Sequence, residues 1–328
     1  MLKEKTVAVV VPAYNEEALI EKTLTTIPEF VDHIYVVDDG SRDNTYEKAS
    51  SVKDSRIILI RHEKNKGVGA SIVSGYKKAL DEGVDAVAVM AGDAQMSPEE
   101  LEKVIRPIVD DEADYVKGNR LLVKDAVKKF PRFRFFGNAI LTLLTKVASG
   151  YWEVMDPQNG YTAISKNALE TLGLDGIYPR YGYCNDLLVR LNVFGFRVKD
   201  VSTTPIYGKE KSGIRIPTYL CTMSLLLLHR FLWRMGQKYI IRNFHPLVLF
   251  YFFGLILFPL GVLIALKLVW IRIMTGGGVA ETSAVLSALL IISGLQLTLF
   301  AMFFDMQENT SRDANVASYN YEKPKNKQ

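Results

Sequence analysis

Short apolar runs alternate with charged, helix-period segments along the first two hundred residues. Thr6 to Val11 is nearly all apolar and is stopped by Pro12, after which Tyr14-Asn15-Glu16-Glu17 opens a helix expected to reach about Thr26. Ile34 to Val37, Ile57 to Ile60 and Ala86 to Met90 repeat the pattern. Each is too short for a stable helix and rich in small or β-favouring residues, as strands covered on both faces should be. Asp114 to Val116 is a further strand, ending at Lys117-Gly118-Asn119-Arg120. Helices restart at Asp43-Asn44-Thr45 and at Ser97-Pro98-Glu99-Glu100, where Ser97 and Glu100 fit a capping box and Pro98 fits the first helical position. Strands alternating with helices at this spacing predict an α/β fold with a doubly wound, mostly parallel sheet. A helix apolar around much of its circumference is expected from about Phe135 to Ser149, and an amphipathic one from Leu187 to Val193.

The pattern changes after residue 215. From Ile216 to Asn243 the period is helical, with Arg230, Arg234, Lys238 and Arg242 recurring every fourth residue. That stripe drifts through about 120° at 100° per residue, leaving Leu226, Leu227, Phe231 and Trp233 largely on other faces. It reads as an interfacial helix whose cations meet an anionic lipid surface, each worth about 1 kcal/mol. Leu247 to Ile271 carries one charge, Lys267, placed to snorkel, and Thr282 to Phe304 carries none, so two transmembrane helices are expected. Lys/Arg asymmetry about these spans places both termini and the soluble domain in the cytoplasm. The expected organisation is a cytoplasmic domain over 1–215, juxtamembrane amphipathic helices over 216–245, two spans within 246–306 and a polar, disordered tail over 307–328.

Composition adds limits. The net charge of +4 over 328 residues is too small to imply a nucleic-acid partner. Cys184 and Cys221 form neither a disulfide framework nor a metal cluster, as in a reducing compartment. Lys3, Glu4 and Lys5 lead straight into a strand with no signal peptide before it. His33, His62, His229 and His245 show no metal-ligand spacing and read as structural.

The chemistry gathers where strands end, since open α/β sheets bind ligands outside the carboxyl ends of their strands. If the chain stays extended from Ala91 to Gln95, Asp93 and Gln95 point the same way. A carboxylate and an amide oxygen so placed suit Mg²⁺ or Mn²⁺, which takes one or two carboxylates plus substrate phosphates. Asp is also favoured in turns for its own hydrogen-bonding reasons. Asp38-Asp39 ends the second strand, and Asn65-Lys66-Gly67-Val68-Gly69-Ala70 follows the third, with glycines that admit a phosphate and Lys66 as a point charge. That loop lacks both the full dinucleotide fingerprint and the Walker ending.

Pro12-Ala13-Tyr14-Asn15-Glu16, Val37-Asp38-Asp39-Gly40-Ser41, Asn65-Lys66-Gly67, Asp93-Ala94-Gln95 and Asp156-Pro157-Gln158-Asn159-Gly160-Tyr161 stand in an order that resembles the family 2 glycosyltransferases of GT-A fold. The chain is most similar to their dolichyl-phosphate and polyprenyl-phosphate branch, and the resemblance covers roughly residues 6 to 215. It implies inverting sugar transfer from a GDP- or UDP-sugar to a polyprenyl phosphate. It assigns the nucleoside to Pro12, Ala13, Tyr14, Glu16, Val37 and Asp39, and metal and diphosphate to Asp93 and Gln95. Lys209 and Lys211 resemble a loop that closes on the donor and would neutralise the leaving diphosphate. The acceptor is assigned to Arg120, Arg132, Arg134 and Asp156, because guanidinium groups match phosphate oxygens in bidentate fashion. Asp186 matches an acidic residue beside the acceptor, as a general base for a hydroxyl, as an orienting group or as a helix cap. Ala91 departs from the family's Asp-x-Asp, removing the first carboxylate, and Asn159 stands where Ser is common. Two alternatives remain: a transferase with a hydroxyl acceptor, and a non-catalytic nucleotide-sugar-binding membrane subunit.

Overall fold

The apolar runs form the strands. β1 (Val7–Ala13), β2 (His33–Asp38), β3 (Ile57–Arg61), β4 (Ala86–Val89) and β5 (Tyr115–Asn119) alternate with α1 (Ile20–Thr25), α2 (Thr45–Ser51), α3 (Val68–Asp81) and α4 (Leu101–Val109). There follow α5 (Arg132–Ser149), β6 (Thr162–Ser165), α6 (Lys166–Thr171), α7 (Tyr183–Phe194), β7 (Val198–Ser202), α8 (Ile216–Gly236), α9 (Leu247–Thr275) and α10 (Glu281–Glu322). This computed structural model describes residues 1–122, 132–204, 206 and 216–322, and the side chains among them except at 132–136, 216–217 and 310–322. The chain divides into two units, Met1–Leu232 and Trp233–Gln328.

The first unit is built on a seven-stranded sheet ordered β3-β2-β1-β4-β6-β5-β7. Its neighbours pair in parallel except that β6 runs against β4 and β5. The sheet is mostly parallel, as expected, and mixed only through β6; β6 and β7 complete it beyond the strands expected. Period-two alternation splits β1 between two cores. Val7, Val9 and Val11 pack with Leu24, Leu101 and Ile105, while Ala8 and Val10 pack with Ile72, Tyr76 and Leu187 on the other face. Because β6 alone is reversed, the carboxyl ends of β1, β2, β3, β4 and β5 share one rim.

Three local expectations change. Ser97 makes no side-chain cap, and Glu100 accepts instead from the Thr204 backbone N–H and hydroxyl, so tertiary contact replaces the capping box around Pro98. The chain does not stay extended past β4: Ala94 has φ +53° and Asp93 Oδ1 accepts from Gln95 N at 3.1 Å, so the segment turns. α7 is not amphipathic, because its residues from Tyr183 to Val193 are all buried.

The second unit contains α9 and α10, each long and apolar enough to cross a membrane over Leu247–Thr275 and Glu281–Asn309. Of their most apolar stretches only 22 % and 17 % is buried, unlike core helices of a soluble domain. They approach closely where Gly294 meets Phe258 and where Ser287 donates to Gly261 O at 2.8 Å. The tail expected to be disordered continues α10 as helical backbone to Glu322.

The basic stripe is inverted. Arg230 pairs with Asp186 within the first unit. In the second, Arg234 is fully buried and bidentate to Asp305, and Lys238, also buried, donates to Asn309 at 2.8 Å. Leu225, Leu228 and Leu232 are the exposed face of α8 instead, and Arg242 alone of the four cations is exposed. A guanidinium taken out of water requires a partner such as Asp305, because an unpaired buried charge is costly.

Candidate active site

The ends of β1, β2 and β4 are tied together by backbone. Asp39 N donates to Ala13 O at 2.9 Å, and Gly92 N donates to Pro12 O at 3.1 Å. The loop after β1 is fastened to the loop after β2. Asn15, at φ +57°, donates its N–H to Ser41 Oγ, and its side-chain oxygen accepts from Arg42 N. Glu16 N donates to Thr45 Oγ1, and Glu17 accepts from both nitrogens of Asn44. Tyr14 is left 39 % exposed at this edge, while Val37 is in the core.

Asp39 sits inside this arrangement. Its carboxylate is 3 % exposed and accepts from Lys66 N at 2.9 Å, Gly67 N at 2.8 Å and His62 Nδ1 at 2.7 Å. The residue assigned to the nucleoside is therefore the clasp that holds the glycine loop onto β2. Lys66 serves Asp39 through its backbone, and its side chain is exposed. His62 bridges onward to Ser74 Oγ on α3 at 2.9 Å. Asp38, also buried, accepts from Ser41 N and lies 3.2 Å from Arg61 Nε.

The turn after β4 presents Asp93 and Gln95, both half-buried. It lies against the loop before β6, where Tyr161 donates to Ser97 O at 2.8 Å. Among the described residues no group of three or more His, Cys, Asp or Glu could hold a metal. Asp93 and Gln95 could hold a metal through one carboxylate and one amide oxygen. Hard oxygen donors in that number fit a Mg²⁺-type ion that draws its remaining ligands from a bound diphosphate and water.

β5 delivers Arg120. Asp156 Oδ2 accepts from Arg120 Nε at 2.7 Å and from its backbone N–H at 3.2 Å, and Oδ1 accepts from Nη2 at 3.0 Å. This bidentate pair borders a cavity of about 310 Å³ walled by Leu121, Ala139, Leu143 and Met155, with Lys146 at its side. Burial lowers the Lys146 pKa, against the opposing pull of Asp200 and Glu153. Leu143 and Ile140, at 55 % and 41 % exposure, extend the apolar surface along α5.

Asp200, on β7, was not singled out by the sequence reading. Its Oδ2 accepts from Asn119 Nδ2 at 2.7 Å and from Met155 N at 2.9 Å, the residues immediately before Arg120 and Asp156. Burial raises its pKa. Asp186 lies in the first turn of α7, 1 % exposed, and accepts from Tyr178 N at 2.7 Å. Arg190 Nε stands 3.3 Å from both its oxygens, and Arg230 Nε stands 2.6 Å from Oδ1. A carboxylate so enclosed organises its surroundings. Lys209 and Lys211 lie outside the described residues, as do the side chains of Arg132 and Arg134.

Comparison with solved structures gives the same fold. The glucosyl-3-phosphoglycerate synthase of Mycobacterium tuberculosis, solved with Mn²⁺, UDP and glucosyl-3-phosphoglycerate, aligns with a TM-score of 0.52 at 21 % identity over 71 % of this chain and 81 % of that one. A UDP-N-acetylglucosamine–dolichyl-phosphate N-acetylglucosaminyltransferase of Methanococcus voltae is 33 % identical over 222 residues, 62 % of this chain and 88 % of that protein. A dolichol-phosphate mannosyltransferase of Pyrococcus furiosus is 29 % identical over 64 % of this chain and 55 % of its own length. The model of glycosyl transferase family 2 matches residues 8–173, from β1 through the Arg120–Asp156 pair and β6, so the chain belongs to that family and is a glycosyltransferase.

Proposed function

We propose that the protein transfers a sugar, with inversion, from a nucleotide sugar to a polyprenyl phosphate. The observation that carries this reading is the cavity lined by Arg120: an arginine beside an apolar-walled space suits an anionic head on a greasy chain. The Methanococcus relative's name couples a UDP-sugar with such an acceptor, which makes UDP-N-acetylglucosamine the first donor to test.

In this reading the glycine loop and the edge around Pro12, Ala13 and Tyr14 receive the nucleoside diphosphate. Asp93 and Gln95 would hold Mg²⁺ or Mn²⁺, which when bound neutralises charge on the diphosphate. An acceptor phosphate oxygen forms the new bond to the anomeric carbon while the bond from that carbon to the diphosphate breaks, and the nucleoside diphosphate leaves with the electron pair. A phosphate monoester, with a second pKa of about 6, is already ionised and needs no general base. This agrees with Asp186 being enclosed by arginines. Lys/Arg asymmetry about α9 and α10 supports a cytoplasmic catalytic unit.

The test uses the full chain in detergent with Mn²⁺ or Mg²⁺, a short polyprenyl phosphate, and UDP-N-acetylglucosamine, UDP-glucose or GDP-mannose in turn. Lipid-linked sugar formed in step with nucleoside diphosphate is the expected result. Transfer only to a hydroxyl acceptor, or none with any donor, would overturn the reading.

A further inference from the structure

Asp186 connects α8 to the donor side of the sheet through short contacts. Arg230, on α8, stands 2.6 Å from Asp186 Oδ1 and also donates to Gly176 O at 3.2 Å. Asp186 Oδ2 takes the backbone N–H of Tyr178, and the next residue, Pro179, accepts from Ala70 N at 3.0 Å in the first turn of α3. Segment and glycine loop touch so closely that Gly67 and Gly69 of the loop tolerate no side chain. A Cβ at Gly67, where φ is +102°, would lie 2.5 Å from Pro179 O, and one at Gly69 would collide with Tyr178 O. From Gly67 the contact passes to Asp39 and then to Ala13.

α3 begins without a side-chain cap, so on that side the loop leans on the 176–180 segment, as Asp39 holds it on the other. The 176–180 segment is in turn held by Asp186 and by Arg190 and Arg230, which both donate to Gly176 O. Arg230 supplies the closest of the ion contacts to Asp186, because Arg190 reaches it only at 3.3 Å. α8 also presses on Gly182, where a Cβ would lie 2.7 Å from Leu226.

We propose that Arg230 is a positioning residue for the nucleotide donor: through Asp186 it fixes the 176–180 segment, and with it the glycine loop, at the sheet edge. The proposal rests on the reading that the donor diphosphate lies on that loop. It separates donor from acceptor, because the Arg120–Asp156 pair is supported from β7 by Asp200 instead. The helix that leads into the first span thereby acts on nucleotide affinity without touching nucleotide.

The test compares the full chain in detergent with its Arg230→Met, Arg230→Lys and Asp186→Asn variants. UDP and GDP binding is read by calorimetry, and donor and acceptor KM are read from turnover. Arg230→Met is expected to weaken nucleoside diphosphate binding about five- to tenfold and to raise donor KM equally, with acceptor KM unchanged. Arg230→Lys recovers part of the loss, and the Arg230→Met, Asp186→Asn double variant is no weaker than Asp186→Asn alone. Wild-type nucleotide affinity in Arg230→Met, an equal rise in both KM values, or no recovery by lysine overturns the proposal. If Arg230→Met does not fold, Asp186→Asn decides by the same affinity, weaker binding supporting the proposal and wild-type binding overturning it. Absence of lipid product from the wild type counts against the functional reading alone, since nucleotide binding is measured separately.

Discussion

Asp39→Asn distinguishes a clasp from a ligand contact. The carboxylate receives two backbone N–H groups and the His62 ring inside a site that is almost closed to solvent. Asparagine keeps the shape but offers a single acceptor oxygen and turns an NH₂ toward a donor. One buried N–H is left unmet, at a cost of roughly 1–3 kcal/mol, and the surviving bonds lose their charge assistance, about 1 kcal/mol more. At roughly 2–4 °C per kcal/mol for a unit of this size, the melting temperature should fall by on the order of 10 °C. The assay is thermal unfolding of the full chain in detergent, with and without UDP, beside Lys66→Ala, which removes an exposed side chain but keeps the N–H. Lys66→Ala should melt as the wild type does. If Asp39→Asn melts within about 2 °C of wild type yet loses UDP binding, the carboxylate is a nucleoside ligand and the clasp argument is wrong.

Chelation of divalent metal should abolish turnover, and Asp93→Asn should lower it about a hundredfold or more at saturating Mn²⁺, because Ala91 leaves no neighbouring carboxylate to compensate; an active chelated enzyme would refute the metal role. Asp200→Ala releases Asn119 and Met155 together, so acceptor KM should rise about tenfold or more while donor KM holds, and unchanged acceptor kinetics would show that the Arg120–Asp156 pair stands alone. In the second unit, Asp305→Ala strands a buried guanidinium and should cost about 3–5 kcal/mol, whereas Arg234→Met with Asp305→Leu should be nearly neutral; equal melting losses in both would argue against a desolvated pair.

What could be read from the sequence was whatever depends on local pattern. β1, β2 and β4 appear as apolar runs because a strand covered on both faces must be apolar throughout, β3 is an apolar run at the sheet edge, and the polar residues at the strand ends, Lys117 to Arg120 after Tyr115-Val116 among them, mark the rim. β6 is only Thr162–Ser165, and β7 carries Lys199 and Asp200, so neither stands out by hydrophobicity, and Asp200 was overlooked with its strand. Periodicity shows which residues share a helix face but not what that face meets. Arg230, Arg234 and Lys238 do share one, yet it faces protein. The same blindness made α7 look amphipathic, since Asp186 and Arg190 are polar but neutralise each other inside the core. Glu100 was spent on Thr204, a partner 104 residues away that no capping rule anticipates.

A helix that folds its arginines inward and turns Leu225, Leu228 and Leu232 outward has exchanged the usual solubility of a basic segment for an oily flank. Kosmotropic salts strengthen the tendency of such a flank to leave water instead of weakening it. Deleting the two long apolar helices would take Asp305 and Asn309 away from Arg234 and Lys238 but leave Leu225, Leu228 and Leu232 in place, so the shortened chain keeps its oily flank and its purification would still call for detergent.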